Sequence, residues 1–477
     1  MLTRLLPAFA SLPLLLSACG GSGTSPTGTG ATGGGSLPAS SLSVTFSELP
    51  AYGTASLSAD LFLRGFAPQP AGTVMARGMD GKSRVFVFPT LFDRDPQLPG
   101  LEWVESGLDQ FRLQRTLLDV SMGSARDWKL MDTAHPARKR FVVVDHGSEY
   151  TTGYANWPFG LIWVATDTGN GFQFEAITRD RAFNHSVAVG DLRGTGRDDI
   201  VSINMGTRSG IGQYNSLHLF EQNPDGSFVQ NATALQLNVP GNSGAVAVAD
   251  LDGDGQPEVI QSAYLSQQKD FPAGEWGAWR VWKRGSSGSY NVASTTAREG
   301  LYTRMGGTQI APVDLDGDGD LDLVIFLEGA TPDATTRYNA NGVEIYLNEG
   351  GLRFTRATAR FLPVNEWRFS ELQARELAVA DWNADGFPDL VLNGWSGSAY
   401  QPGPTQVNIG ALVFLNQGGK TLVHQRQEPA FTLQLDRSDQ QPLFLRLMDS
   451  AGGVTRLFGI ARNGAPMVIR HRQSSRP

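Results

Sequence analysis

Three stretches of the 477-residue chain place side-chain oxygens at alternate positions. Asp250, Asp252, Asp254 and Glu258 form the first, and Asp314, Asp316, Asp318 and Asp322 the second. Asp381, Asn383, Asp385 and Asp389 form the third. Alternate residues of a tight turn can aim their carboxylates inward, and a compact oxygen cage suits calcium, which takes six to eight hard ligands, better than magnesium, which keeps its waters. The carbonyls of Gln256, Asp320 and Phe387 fall between the last two side chains of each set and would add a main-chain ligand. Gly255, Gly319 and Gly386 stand where the backbone must bend back. An EF-hand is excluded, because its twelfth position must be a bidentate Glu leading into a helix. That position is Gln261, Ile325 or Leu392 here, inside an apolar run. One such turn reads equally as a solvated acidic loop; three at the same place in a repeat predict about three Ca2+ sites.

The turns recur in weaker form. In a copy led by Asp191, Arg193 and Thr195 replace two acids, so a guanidinium would take the cation's place and no metal is expected. A copy led by Asp132 carries Ala134, Pro136 and Arg140 at ligand positions, and one led by Asp449 is a residue short. These turns are expected to be held by ordinary hydrogen bonding. Successive leading Asp residues, 132, 191, 250, 314, 381 and 449, lie 59, 59, 64, 67 and 68 residues apart. A seventh and least regular copy pairs Val74-Met75-Ala76 with Val85 to Phe88. Periods of this length signal propellers, solenoids or arrays.

The contents of one period decide the architecture. Residues 377–425 read as an apolar strand into the acidic turn, a second strand from Asp389 to Asn393, and a long polar loop. A third strand, Ala411 to Leu415, then turns at Gly418-Gly419 into a fourth, Thr421 to Gln425. Residues 310–356 repeat that plan, and no helical period is sustained. Four antiparallel strands per period predict an all-β, seven-bladed β-propeller; a β-helix needs shorter coils and an immunoglobulin-type unit more strands. The last repeat has only three strands, near 444–448, 456–461 and 467–471. The segment 41–63, with Leu42 to Phe46 and Leu61 to Leu63, is expected to supply the fourth and close the ring.

These motifs resemble the FG-GAP and VCBS repeats, including the propeller of integrin α chains, over roughly residues 70–470. The resemblance implies a propeller with calcium in its turns. It implies little about ligand, because such propellers serve in adhesion modules, receptor heads and noncatalytic parts of secreted enzymes. The segments Val144-Asp145-His146-Gly147 and Asn184-His185-Ser186 also resemble relatives.

Antiparallel order sets two faces. The acidic turns and the tight Gly turns share one; the long loops 146–160, 205–215, 265–278, 328–342 and 394–410 lie opposite. Those loops carry Tyr150, Tyr154, Trp157, Tyr214, Trp276, Tyr338, Trp395 and Tyr400. Exposed aromatics beside amides and acids suit sugars or polypeptide loops; the same rings could simply pack the loops together. His146 and His185, with Asp145 and Glu149 nearby, also belong to this face. The candidate ligand face is therefore His146, Trp157, His185, Trp276 and Trp395. The histidines read either as structural hydrogen-bonding groups or as a polar site. No Gly-x-Ser-x-Gly elbow, His-Glu-x-x-His helix or phosphate loop appears.

The beginning of the chain predicts where the propeller works. Arg4 precedes an apolar run, Leu5 to Leu16, too short to span a bilayer as a helix. It ends in Leu16-Ser17-Ala18-Cys19, which resembles the lipobox of bacterial lipoproteins. Residues 1–18 are expected to be a signal peptide and Cys19 the lipidated residue; a plain secretory signal is the alternative. Cys19 is the only cysteine, so no disulfide can form within one chain. Residues 19–40, rich in Gly, Ser and Thr, read as a flexible tether before a propeller over 41–477. In a cell with two membranes, Gly20 and Gly21, rather than Asp, after the cysteine favour the outer membrane. The formal charge of −8 argues against nucleic acid. The expected function is a noncatalytic binding, adhesion or interaction module of the cell envelope, held to the membrane by its lipid and meeting a surface glycan or protein. An envelope scaffold is a related reading. The alternative is a secreted enzyme on an extracellular polymer, of polysaccharide lyase or hydrolase type.

Overall fold

A computed structural model describes residues 40–473 apart from 48–72, 89–98, 123–124, 133–138, 148–159, 180, 208–209, 236–242, 264–278, 297–304, 330–339, 363–372, 396–405, 409–410, 425–431, 435–441, 452–453 and 462–464. Cys19, Trp157, Trp276 and the run Leu61 to Leu63 lie outside the described residues. Seven four-stranded antiparallel sheets follow one another along the chain, the blades of a β-propeller.

The first blade is Thr73–Arg77, Ser83–Val87, Pro99–Gly107 and Gln110–Ser121. The second is Ala125–Met131, Arg140–Asp145, Ile162–Asp167 and Phe172–Ala176. The third is Ala182–Gly190, Asp199–Thr207, Gly210–Gln222 and Phe228–Asn231. The fourth is Ser243–Ala249, Glu258–Ala263, Trp279–Arg284 and Tyr290–Thr296. The fifth is Met305–Val313, Asp322–Gly329, Ala340–Asn348 and Phe354–Arg356. The sixth is Gln373–Ala380, Asp389–Trp395, Ala411–Asn416 and Leu422–His424. The seventh joins Pro442–Ala451, Val454–Ala461 and Pro466–Gln473 to Ser40–Phe46, which pairs from Ser40↔Gln473 to Phe46↔Met467. The closure expected of the segment after residue 40 is thus supplied by its first strand.

Burial explains the strand composition. The second strand of a blade is covered on both faces by neighbouring blades, and Arg140–Asp145 is buried at every position. Such strands read as unbroken apolar runs rather than alternating ones. Outermost strands are far more exposed: Tyr290–Thr296 buries its tyrosine and leaves most of its other side chains in solvent. Between the first and second blades, Phe86 stands 5.1 Å from Phe141 and 5.3 Å from Phe172. Met75, Val85 and Trp103 of the first blade pack with Phe458, Ile460 and Val468 of the seventh, sealing the ring. Each such side chain contributes about 1.5–3 kcal/mol by leaving water.

Two expected loops are partly strand. The 205–215 segment is largely a hairpin extension, with Thr207 paired to Gly210. The 394–410 segment begins inside a strand, with Trp395 paired to Gln373, and later contributes Gln406–Asn408, which pairs with Thr432–Gln434 as a separate ribbon. Glycine and polar residues weakened the apolar alternation there, but backbone pairing needs no apolar side chain.

One irregularity recurs. The first strand slips register between Ala125 and Asp127, Asn184 and Ser186, Ser243 and Ala245, Gly307 and Gln309, Ala374 and Glu376, and Pro442 and Phe444. Six blades therefore bulge at the same place, at the end of the strand away from the acidic turn. Bulges of this kind re-aim a side chain. Among the described residues no helix is long and apolar enough to cross a membrane.

Candidate functional site

The three acidic turns fold around their own first residue. Asp250 accepts hydrogen bonds from the Asp254 and Gly255 amides (3.1 and 2.9 Å). Asp314 accepts from Gly317 and Gly319 (2.8 and 3.1 Å), and Asp381 from Asp385 and Gly386 (3.0 Å each). Gly255, Gly319 and Gly386 have φ of 84°, 99° and 93°, the left-handed conformation that a side chain would resist. The third acid accepts from the residue two further on: Asp254 from Gln256, Asp318 from Asp320, and Asp385 from Phe387.

The last acid of each turn is fully buried. Glu258, Asp322 and Asp389 accept from the second-position amides of Leu251, Leu315 and Trp382 (2.9, 2.9 and 2.7 Å). Asp322 and Asp389 also take the amides of Asn348 and Asn416 on the third strand (2.9 and 2.7 Å). Burial nevertheless raises the carboxyl of Asp322 to about 6 and that of Asp389 to about 7, and pushes Glu258 upward as well. A buried carboxylate held this way is short of positive charge.

The fit to a hard cation can be read from the remaining oxygens. Asp252 Oδ1, Glu258 Oε1 and Asp316 Oδ1 are buried and make no hydrogen bond. Asp250, Asp252 and Asp254 each offer an oxygen within 4.8 Å of the others, as do Asp314, Asp316 and Asp322. In the sixth blade the Asn383 amide stands in for an acid and donates to Asp385 (2.9 Å). An all-oxygen donor set with orphaned lone pairs fits Ca2+. The three turns are not equivalent, however. In the fourth blade Lys283 reaches in from the third strand: its Nζ hydrogen-bonds Asp252, lies 2.8 Å from Asp254 Oδ2 and 3.4 Å from Glu258 Oε1. Burial pushes this ammonium down, but its hydrogen bonds to Asp252 and Asp254 outweigh that and raise its pKa.

The other four turns carry arginine. Arg193 clasps Asp199 with two bonds, Nε to Oδ2 at 3.0 Å and Nη2 to Oδ1 at 2.9 Å, as the guanidinium-for-cation reading expects. Arg140 lies on Asp132, and Arg456 on Asp449. In the first blade Arg84 bridges Asp80 (2.7 Å) and Glu102 (3.2 Å). Ion pairs, rather than hydrogen bonding alone, therefore hold these turns. The signal available in the sequence was an Arg at the last ligand position, 140 and, after the one-residue deletion, 456.

Turns are also tied to the next blade, which sequence reasoning missed. The Asn348 side chain donates to the Leu251 carbonyl, and the Asn416 side chain to the Leu315 carbonyl (2.7 Å each). Tyr290 reaches the Leu192 carbonyl at 3.4 Å, and the Met79 amide donates to Asp167 at 2.7 Å. At the seam Arg456 of the seventh blade meets Glu105 of the first at 3.2 Å.

On the opposite face, the two histidines come together. His146 and His185 are buried, with ring centroids 5.7 Å apart, and His146 lies 3.5 Å from the Phe183 ring. Burial depresses both: His146 well below the ordinary value and His185 to about 3, with Arg126 adding to each shift. Of the three candidate tryptophans, Trp157, Trp276 and Trp395, only Trp395 falls on a described backbone.

Residues 208–260, from the third blade through the first acidic turn into the second strand of the fourth blade, match the FG-GAP-like repeat. Among solved structures, the chain is similar to that of BBS1N in complex with ARL6DN, at 10% identity and a TM-score of 0.42, over 86% of this chain and 94% of that one. It is similar also to the N-terminal domain of Nup159, at 8% identity and a TM-score of 0.38, over 86% and 95%.

Proposed function

We propose that this FG-GAP-repeat β-propeller is a calcium-binding interaction module, presented from the cell envelope by a lipid on Cys19, that meets its ligand on the face opposite the acidic turns. The observation that carries the calcium part is the set of buried carboxylate oxygens without hydrogen bonds, repeated where the acidic turns of the fourth and fifth blades converge. Asp250, Asp252, Asp254 and Glu258 would hold one ion, Asp314, Asp316, Asp318 and Asp322 a second, and Asp381, Asn383, Asp385 and Asp389 a third. In the fourth blade Lys283 must swing out first. The ions act as fasteners: each cage closes a hairpin, and in the fifth and sixth blades the last acid is already tied to the third strand and, through its asparagine, to the preceding blade.

The ligand is then read by loops on a rigid ring, the usual division of labour in propellers. A surface glycan or protein fits this arrangement. The rival reading, an enzyme on an extracellular polymer, needs a base near neutral pH. His185 fits that role poorly, because both ring nitrogens face partners and burial lowers it to about 3. The decisive experiment probes glycan and surface-protein arrays with the purified chain, in calcium and in chelator. Binding to a defined ligand without turnover supports the module; no binding to any array in calcium, or conversion of a polymer, overturns it. Incorporation of labelled fatty acid that disappears in Cys19→Ser tests the anchor.

A further inference from the structure

We propose that Arg126 is an oxyanion receptor, a pre-aimed guanidinium at the junction of the second and third blades that takes a carboxylate or sulfate group. The inference rests on the face opposite the acidic turns being the ligand side, and it names the chemistry that this side recognises.

Arg126 is the bulged residue of its strand: Ala125 pairs with Asp145 and Asp127 with Val144, so Arg126 has no partner across the ladder. His185 and Gly244 occupy the same bulge in the next two blades. The three are linked in order. Arg126 Nη2 lies 3.3 Å from His185 Nε2, and His185 Nδ1 lies 3.0 Å from the Gly244 carbonyl oxygen. A carbonyl can only accept, so Nδ1 carries the proton and Nε2 presents its lone pair to the guanidinium. His185 is thereby a positioning residue: its tautomer is set by the fourth blade, and it fixes the arginine of the second.

That bond uses one of five guanidinium N–H groups. Among the described residues Arg126 makes no other hydrogen bond and no ion pair. The charged groups described around it are already engaged. Asp127 Oδ2 accepts from Ser186 Oγ (2.9 Å) and the Val187 amide (3.0 Å), while its Oδ1 takes Lys129 Nζ and the Trp128 amide (2.8 Å each). Asp145 Oδ1 accepts from the Gly147 amide (2.9 Å). His146 and His185 are both depressed by burial and bring no charge at neutral pH.

The contrast with the acidic-turn face is sharp. Arg84, Arg140, Arg193 and Arg456 each lie on a carboxylate. Arg126 is half-buried and has none among the described residues. Partial burial of an unpaired charge is unfavourable, and a planar fork with free parallel donors matches the two oxygens of a carboxylate or sulfate. The bulge, the contact with His185 and the lack of a counter-charge among the described residues all point to an anion arriving from outside the chain.

The test titrates the full chain, labelled with 15N-arginine, with sodium sulfate, sodium glucuronate, sodium chloride at matched ionic strength, and glucose. The Arg126 Nε–Hε resonance is assigned by its loss in Arg126→Lys. Sulfate and glucuronate are expected to shift it saturably, chloride and glucose not, and Arg126→Gln is expected to weaken either anion about tenfold or more by calorimetry. The resonance is read on the unaltered chain, so an unstable variant does not blunt the test. No saturable shift, or the same shift with chloride, overturns the inference. A silent Arg126 beside a positive ligand array sinks this receptor alone. A saturable shift beside a blank array upholds the receptor and sinks the broader module.

Discussion

The side-chain amide of Asn416 lies 2.7 Å from the carbonyl oxygen of Leu315, joining the sixth blade to the acidic turn of the fifth. Asn416 also donates its backbone amide to Asp389 in its own turn (2.7 Å) and accepts from the Gly419 amide (2.9 Å). Asn348 repeats the link one blade earlier. Replacing Asn416 by Leu would leave a buried carbonyl unpaired. The expected cost is about 1–3 kcal/mol, read as a lower denaturation midpoint. Asn416→Asp should cost at least as much, since a carboxylate would face that carbonyl. An unchanged midpoint in both variants would show that the staple carries no weight.

Removing calcium from the proposed cages should loosen the ring, because those of the fourth and fifth blades are wired to the next blade through such amides. An ion that binds only the folded chain at a hundred times its dissociation constant stabilises it by about 2.7 kcal/mol. A chelator is therefore expected to lower the melting temperature and excess calcium to restore it. Asp316→Asn should reduce that calcium-dependent gain, since it removes charge from the carboxylate whose buried Oδ1 makes no hydrogen bond. A melting curve indifferent to chelator and to the substitution would remove calcium from the account.

Lys283 competes with any ion in the fourth blade. Its ammonium already neutralises part of the charge of Asp252, Asp254 and Glu258. Lys283→Met is expected to lower stability in chelator and to tighten calcium at that turn by about tenfold or more, read by calorimetric stoichiometry and affinity. Weaker or unchanged calcium binding in Lys283→Met would mean that the ammonium is no competitor.

Acid should weaken the fold through its buried histidines. His471, stacked 4.9 Å from Trp382, is lowered by burial to about 4, and His185, facing Arg126, His146 and Asp127, to about 3. Both depressed values favour the neutral ring in the folded chain. The unfolded chain takes up protons first, so stability falls as pH drops below about 6.5 and continues to fall until the folded value is reached. At pH 5 each histidine should cost about 2 kcal/mol relative to pH 8. Asp322 and Asp389, raised to about 6 and about 7, act with the opposite sign in chelator over part of this range. Comparing His471→Phe with the unaltered chain therefore isolates the histidine: the variant should lose less stability between pH 8 and pH 5, and parallel curves would refute the assignment.

What the sequence made legible was local and periodic. The leading acids, their spacing and the Gly turns lie within single hairpins, so the blade count and the position of the turns could be read directly. Strand closure was legible because the last repeat lacks one strand. The contents of the turns were not fully legible, because they depend on register across strands. Lys283 falls opposite Glu258 only because Val259 pairs with Trp282, a relationship that no spacing rule supplies. The asparagine staples and the Arg126–His185 contact link residues about 59 to 101 positions apart, on different blades. Such partners are fixed by the angle between sheets, which leaves no mark on either segment alone.

The strand from Ser40 to Phe46 pairs with the one ending at Gln473. During synthesis the first of these emerges more than four hundred residues before its partner. Until the later strand appears, the earlier one presents an unpaired edge that any passing peptide could occupy, and the seal between first and seventh blades stays open. Maturation of the ring is therefore gated by the strand that ends at Gln473, and a chain cut short before it would carry nearly complete blades with no means of locking them.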